Sequence, residues 1–138
     1  METILFALIA AFFWGAAPVF EKIGLKEIDP IIGVAIRSFV VTLIMLIYLA
    51  SRGRIWEFSR LSYSSIAYIA MGAIFASLLG QFFYYQGLKY GEATKIVPVA
   101  SVYPLIALML AILMLGEKLT LNRLIGTILI IAGVALIK

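Results

Sequence analysis

Five apolar stretches make up most of this 138-residue chain. The hydrocarbon core of a lipid bilayer is about 30 Å thick, and roughly 20 apolar residues in an α-helix cross it. Helices suit that environment because each backbone N–H and C=O group must find its partner within the segment. The stretches occupy residues 4–20, 31–50, 66–85, 93–115 and 121–137. The sequence therefore predicts an all-α integral membrane protein with five transmembrane helices.

The remaining composition argues against several classes of function. Apolar residue types make up 64% of the chain, and the segments between the stretches are too short to hold a soluble catalytic domain. The chain has no cysteine and no histidine, and its stretches hold no nucleophile and base pair, so we expect no enzyme activity, metal or cofactor. Its basic residues are dispersed among short loops, which argues against nucleic-acid binding.

The loop charges give no preference for one orientation in the membrane. Five spans put the N-terminus and the second and fourth loops on one side, called side A, and the other loops on side B. Five basic residues lie on each side, whereas orientation normally follows an excess of Lys and Arg in the cytoplasmic loops. This balance favours dual topology, with copies inserted both ways up and paired antiparallel. The alternative is a single orientation set by the first helix or by charges near the helix ends.

Short motifs occur in a fixed order through the five stretches. They are Trp14-Gly15, Lys22, Pro30, Arg37-Ser38-Phe39, "GLKYGEATKIVPVASVYPL", "LGEKLTLNRLIG" with Glu117, and the closing "IIAGVALI". In this order they resemble the EamA domain of the drug/metabolite transporter superfamily over essentially the whole chain. Residues 1–138 are thus interpreted as a single EamA-type five-helix domain.

The resemblance implies both an architecture and a function. Most members of that family carry two such domains as inverted repeats, which form ten helices around a central cavity. A chain with one domain is then half of a ten-helix inverted-repeat transporter, completed by an antiparallel homodimer. The implied activity is alternating-access transport of small organic solutes, such as amino acids, metabolites or drugs, by a multi-pass protein of the cell membrane. Its partners would be the lipid bilayer, the small-molecule substrate and an inverted second copy.

A positive charge, Arg37, lies about 10 Å deep in the second stretch, counted from side B at 1.5 Å per residue. A charge at that depth costs about 2.5 kcal/mol or more, so we expect it to face protein or a water-filled cavity. Other polar and aromatic residues in the same half of the membrane are Trp14, Gln81, Tyr84, Ser101 and Tyr103. With Arg37 they are interpreted as the substrate-binding lining of a cavity that opens toward side B.

Each of these residues has a structural alternative. Arg37 would cap carbonyl groups near Pro98, or tie helices together through Gln81 and tyrosine hydroxyls. The aromatic side chains, Tyr84 above all, would instead be anchors at the membrane interface.

Three prolines, Pro18, Pro98 and Pro104, lie inside the predicted helices. A proline inside a helix removes a backbone donor and frees a carbonyl, which kinks the helix. They are interpreted as hinges for alternating access, with passive kinks as the alternative.

Two glycines of the last stretch, Gly126 and Gly133, are seven residues apart and share one helix face. Small residues let helix backbones approach closely in lipid. The spacing resembles the dimerising last helix of the small multidrug resistance family, so the pair is a candidate dimer contact. Glycine is also common in membrane helices, which is the alternative.

The acidic residues do not identify the energy source for transport, because they all lie at the ends of the predicted spans. Glu21 is the nearest candidate for ion coupling, although a solvated end charge paired with Lys22 is the simpler interpretation. Facilitated transport, exchange, or coupling through Glu21 is therefore favoured over antiport through a buried acid. Two other functions also fit these residues: a subunit of a lipid-linked sugar flippase, and a membrane assembly partner that transports nothing.

Overall fold

Helices make up nearly all of the secondary structure in the computed structural model, which describes residues 2–137. A short 3-10 helix over Ile55–Arg60 lies between the second and third helices, and no strand occurs in the described residues. The all-α prediction is confirmed. The helices are α1 (Glu2–Gly24), α2 (Pro30–Ser51), α3 (Tyr63–Tyr90), α4 (Ala93–Ala100), α5 (Tyr103–Leu115) and α6 (Leu121–Ala135).

Within residues 2–137, four segments are long and apolar enough to cross a membrane: α1, α2, α3 and the stretch Ala93–Leu115 that contains α4 and α5. The prediction of a membrane protein is confirmed by these segments. Helix α6 has 15 residues, which is about 22 Å at 1.5 Å per residue and shorter than the roughly 30 Å of a bilayer core. A fifth span therefore stays a prediction.

Capping groups set where several helices begin and end. The Asp29 side chain accepts a hydrogen bond from the backbone N–H of Ile31 (3.0 Å), and Pro30 occupies the first turn of α2, where its missing N–H costs nothing. Gly116 ends α5 with a φ of 65°, a left-handed conformation that glycine adopts without strain. These residues make the first and last interhelical turns abrupt.

Helices α1 and α3 extend further than the sequence predicted. Helix α1 continues to Gly24, so Glu21 and Lys22 lie inside it and the predicted end at residue 20 was wrong. Helix α3 spans residues 63–90 where 66–85 was predicted. Charged side chains were read as helix ends, but here they bond to neighbouring helices. The Lys22 ammonium, for example, donates to the carbonyl of Leu88 at 2.6 Å.

The middle of α3, Ile74–Gly80, is a π-helix, with wider turns than the α-helical segments on either side. Such segments are rare and occur frequently at functional sites. A Cβ at Gly80 would lie 2.9 Å from the carbonyl oxygen of Phe75, so glycine is the residue that fits there. The π-helix ends directly before Gln81, and the residues that follow belong to the site described below.

The stretch Ala93–Leu115 is interrupted at Ser101 and Val102, which form a turn between α4 and α5. Pro98 lies inside α4, as predicted. Pro104 instead lies in the first turn of α5, so the prediction of an interior helical proline was wrong there. The helix has already ended before Pro104, and a proline in a first turn leaves no intrahelical donor missing.

The chain divides into two units, residues up to Lys89 and residues from Tyr90 onward. In the first unit the buried residues all lie toward side B, in residues 18–34 and 81–89. Among the described residues of the second unit none is buried. The buried residues of the first unit are Pro18, Leu25, Pro30, Val34, Tyr85 and Leu88.

A bidentate ion pair in the loop outside the membrane gives a pH prediction. Arg54 donates from Nε and Nη2 to the two carboxylate oxygens of Glu57, both at 2.9 Å, and these hydrogen bonds lower the pKa of Glu57. A lowered folded-state pKa means that the pair stabilises the fold above the ordinary glutamate pKa and loses this effect as pH falls through the folded-state pKa. We expect Arg54→Gln to move the Glu57 titration midpoint upward, measured by carboxyl ¹³C NMR in micelles. Arg60→Gln is the control, and equal midpoints in Arg54→Gln and the parent would contradict the prediction.

Candidate functional site

A cluster of four polar side chains centres on Glu21 in the last turn of α1. The Tyr85 hydroxyl donates to Glu21 Oε1 at 2.9 Å, and Gln81 Nε2 donates to the same oxygen at 3.4 Å. Arg37 of α2 approaches this oxygen with its Nε at 4.0 Å. The Glu21 side chain is 17% exposed and that of Arg37 is 42% exposed. These four residues, the polar cluster, join three helices of the first unit.

Close packing of α2 against α3 positions the Tyr85 hydroxyl. Tyr85 is buried, and a Cβ at Gly33 would lie 3.2 Å from two atoms of its ring and 3.1 Å from Leu25 Cδ2. A side chain at position 33 would therefore push the ring or Leu25 aside. Glycine lets the tyrosine pass close to the α2 backbone and reach the carboxylate on α1.

Two lysines hold the side B end of the first unit together. Lys22 Nζ donates to the carbonyl oxygens of Leu88 (2.6 Å) and Lys89 (3.3 Å), in the last turn of α3. Lys89 Nζ donates to the carbonyl oxygen of Ile28, just before α2 (2.9 Å). Cations suit the C-terminal end of a helix, where carbonyl groups lack intrahelical partners. These contacts tie α1, α3 and the start of α2 together at side B, and the predicted opening of a cavity toward side B stays a prediction.

Two clefts of the first unit meet at Arg37. One, of about 170 Å³, is mainly apolar, and the other, of about 260 Å³, is more polar. The apolar cleft is lined by Glu21, Gly24, Leu25, Ile28, Gly33, Ile36, Arg37 and Tyr85. The polar cleft is lined by Arg37, Ser38, Val41, Thr42 and Ser77. A solute with one charged end and one apolar end would find both environments beside Arg37.

Of the residues predicted to bind substrate, the structure brings Arg37 and Gln81 together around Glu21. Tyr84 is partly exposed and lies beside Tyr85, with ring centroids 6.4 Å apart. Trp14 is 69% exposed and lines neither cleft. Substrate contact by any of them stays a prediction.

The other predicted residues lie in the second unit. Ser101 Oγ donates to the carbonyl oxygen of Val97 at 3.0 Å, within its own turn, and Tyr103 is 57% exposed. Gly126 and Gly133 are exposed, and a Cβ at either would meet no atom within 4 Å. Their helix face thus has room for a second helix, while its role as a dimer contact stays a prediction.

Sequence reasoning misjudged Glu21 and missed the site role of Tyr85. The interpretation of Glu21 as a solvated end charge was wrong, because this carboxylate is partly buried and accepts two hydrogen bonds from α3. The spacing of residues along each helix could have indicated that Glu21 and Tyr85 face the protein interior. Pro18, Glu21 and Leu25 follow one another at intervals of three and four, as do Gln81, Tyr85 and Leu88 at four and three, so each set shares one helix face.

Charge and hydrogen bonding suit this site to a polar organic solute. In the described residues, no group of three or more metal-binding side chains occurs. The cluster instead offers a guanidinium, a carboxylate, an amide and a phenol, all of which recognise charged or hydrogen-bonding groups.

Comparisons with known proteins find relatives of two lengths. The model of the EamA-like transporter family matches residues 1–138. An uncharacterized protein of Methanocaldococcus jannaschii is 30% identical, over 100% of this chain and 98% of its own. An uncharacterized transporter of a Sinorhizobium species is 27% identical, over 95% of this chain and 92% of its own. An uncharacterized transporter of Clostridium kluyveri is 32% identical over 94% of this chain, but over only 42% of its own length. No solved structure matches this chain.

Proposed function

This chain belongs to the EamA-like transporter family and is a multi-pass membrane protein, and on that premise we propose that it transports small organic solutes across the cell membrane by alternating access, as an antiparallel homodimer. The occurrence of relatives of two lengths is the observation that carries the proposal. This chain covers nearly all of two relatives, yet it covers 42%, 44% and 48% of three others, each named an uncharacterized transporter. Two copies of the chain would together be about as long as one of those longer proteins.

The polar cluster supports a solute pathway. A charged side chain in a membrane helix is costly and, as a rule, faces the protein interior or a water-filled cavity. Arg37 and Glu21 both lie in helices long enough to cross the bilayer, and both line a cleft. We take Arg37 and Gln81 as the first solute contacts, with Trp14, Tyr84, Ser101 and Tyr103 as further candidates.

Uneven packing of the first unit supports alternating access. All of its buried residues and its interhelical lysine contacts lie toward side B, while nearly all side chains in the side A halves of its helices are exposed. We interpret this as a state closed on side B. In the proposed cycle the contacts of Lys22 and Lys89 break, and the turn between Pro98 and Pro104 acts as a hinge together with Pro18.

The polar cluster also bears on energy coupling. Glu21 is the one carboxylate of the described residues that is partly buried within a membrane-spanning helix and bonded to another such helix. Coupling through Glu21 is accordingly the first mechanism to test, with facilitated transport and exchange as the alternatives.

Labelling of single cysteines tests the antiparallel arrangement. The chain has no cysteine, so one introduced at Ser59 on side A or at Glu27 on side B is the only thiol that reacts. Both positions are exposed, and neither substitution alters the balance of basic residues. With a membrane-impermeant maleimide on intact cells, we expect each position to be labelled in part of the population, and permeabilised cells give the total.

A charge variant controls for leakage of the reagent. Two lysines added on side A, at Ser51 in the last turn of α2 and at Ser59 in the following loop, are expected to drive the Glu27→Cys protein into one orientation, because the basic residues then favour side A by seven to five. External labelling of that Cys should then become nearly complete. If Ser59 or Glu27 alone is labelled in the balanced protein, the homodimer proposal fails, and a subunit of another assembly becomes the better explanation.

A further inference from the structure

Arg37 has more hydrogen-bonding capacity than its surroundings use. A guanidinium has five N–H donors in a planar fork. Among residues 2–89, the described part of the first unit, Arg37 donates no hydrogen bond, and its one acidic neighbour, Glu21, lies 4.0 Å from Nε. That distance is longer than a hydrogen bond. The terminal nitrogens of Arg37 are therefore available to an anion from outside the unit.

Glu21 differs from Arg37 in this respect. Its carboxylate already accepts hydrogen bonds from Tyr85 and Gln81 on α3. Its side chain is also less than half as exposed as that of Arg37, at 17% against 42%. The cation of the pair is thus the more accessible partner and the one with unused donors. These differences favour an anionic ligand over a cationic one.

The cleft beside Arg37 limits the size and polarity of that ligand. Leu25, Ile28 and Ile36 line it together with Gly33, so most of its surface is apolar. Its volume of about 170 Å³ is below the roughly 300–1,000 Å³ of sites for drug-sized ligands. A short aliphatic chain fits this space, and its charged end would reach the guanidinium at the rim.

We propose that Arg37 binds the carboxylate of a small amphipathic monocarboxylate, whose aliphatic part occupies the apolar cleft, and that Glu21 is the resident counter-ion with which this carboxylate competes. This proposal rests on the proposed transport function, because the bound monocarboxylate is a substrate only if the chain transports solutes. The site itself, however, lies wholly within the first unit. Binding therefore requires neither dimerisation nor a particular orientation in the membrane.

The effect of removing the Glu21 charge on ligand affinity distinguishes an anion site from a cation site. Removing the negative charge of Glu21, which lies 4.0 Å from Arg37 Nε, frees Arg37 and removes a repulsion of the bound carboxylate, so an acid should bind more tightly. An ammonium ligand would be held by Glu21 and would be lost by the same change. The Glu21→Gln variant separates these cases, because its amide oxygen still accepts the Tyr85 hydrogen bond.

Equilibrium dialysis of the purified full-length chain in neutral detergent tests the proposal. The probes are radiolabelled 4-methylpentanoate, its amine analogue 4-methylpentylamine and acetate. We expect the parent to bind 4-methylpentanoate at least about tenfold more tightly than acetate, because of the apolar chain, and to bind the amine weakly. Glu21→Gln should tighten 4-methylpentanoate binding by about tenfold. Glu27→Gln, in the exposed turn before α2, should leave it unchanged.

Three results would overturn the proposal: no binding of 4-methylpentanoate to the parent, weaker binding to Glu21→Gln when circular dichroism shows an intact helical fold, or tighter binding of the amine. A comparison made on the parent alone, 4-methylpentanoate against acetate and the amine, decides the matter if the variant does not fold. A negative result from cysteine labelling would remove the antiparallel homodimer and leave this measurement untouched.

Discussion

Replacing Arg37 with glutamine is expected to weaken binding of 4-methylpentanoate by about 10- to 100-fold, since a hydrogen bond to a charged group contributes about 1.5–3 kcal/mol. Glutamine keeps a donor of shorter reach but removes the charge and the planar fork. Glu21 retains its hydrogen bonds from Tyr85 and Gln81 in this variant, so the fold should persist. Equilibrium dialysis measures the affinity, and thermal unfolding monitored by circular dichroism checks the fold.

A loop arginine provides the control for overall charge. Arg52, just after α2, is exposed, and Arg52→Gln should leave the affinity unchanged. If Arg37→Gln lowers the unfolding temperature strongly while the surviving folded protein binds the acid normally, Arg37 has the structural role that the sequence left open. In that case its guanidinium ties helices together and does not hold solute.

The second large effect is expected from Leu88→Ala, which should lower the free energy of unfolding by about 2–5 kcal/mol. Leu88 is the large apolar side chain with 0% exposure among the described residues, and it lies in the last turn of α3 beside the Lys22 contact. Truncation leaves a cavity in the last turn of α3, next to the carbonyl groups that bond Lys22 of α1. Because lost packing contacts account for much of this cost, we expect it in detergent as well as in a bilayer.

Leu46→Ala is the matched control. Leu46 lies in α2 and is 50% exposed, so its truncation opens no cavity, and the change should cost much less. Reversible unfolding in mixed micelles gives both free energies. Equal costs for the two variants would mean that the side B end is not the stabilising part of the first unit.

The helical membrane architecture was predictable from sequence because it depends on the composition within each stretch. An apolar stretch of about 20 residues specifies a membrane helix almost regardless of its neighbours. The Asp29-Pro30 start of α2 is equally local, since an N-cap and a first-turn proline act within four residues. Arg37 was found because a charge within an apolar stretch demands a partner.

What the sequence did not reveal depends on contacts between helices. The end of α1 was placed too early because the charged pair Glu21-Lys22 follows the apolar stretch, whereas Lys22 lies within the helix and donates to carbonyl groups of α3. Glu21 was assigned to solvent because Tyr85 is 64 positions away in the chain. The π-helix of α3 has no residue signature beyond Gly80. The need for glycine at position 33 becomes clear only when the position of the Tyr85 ring against α2 is known.

The π-helix also sets the angular phase of α3. In a regular α-helix each residue rotates the chain by about 100° around the helix axis. In the wider turns of a π-helix each residue rotates it by a smaller angle. The two ends of α3 are therefore out of phase with each other. A strictly α-helical chain through residues 74–80 would rotate Gln81 and Tyr85 together, turning them away from Glu21. The carboxylate on α1 thus depends for its partners on an irregularity in another helix, in the turns that directly precede Gln81.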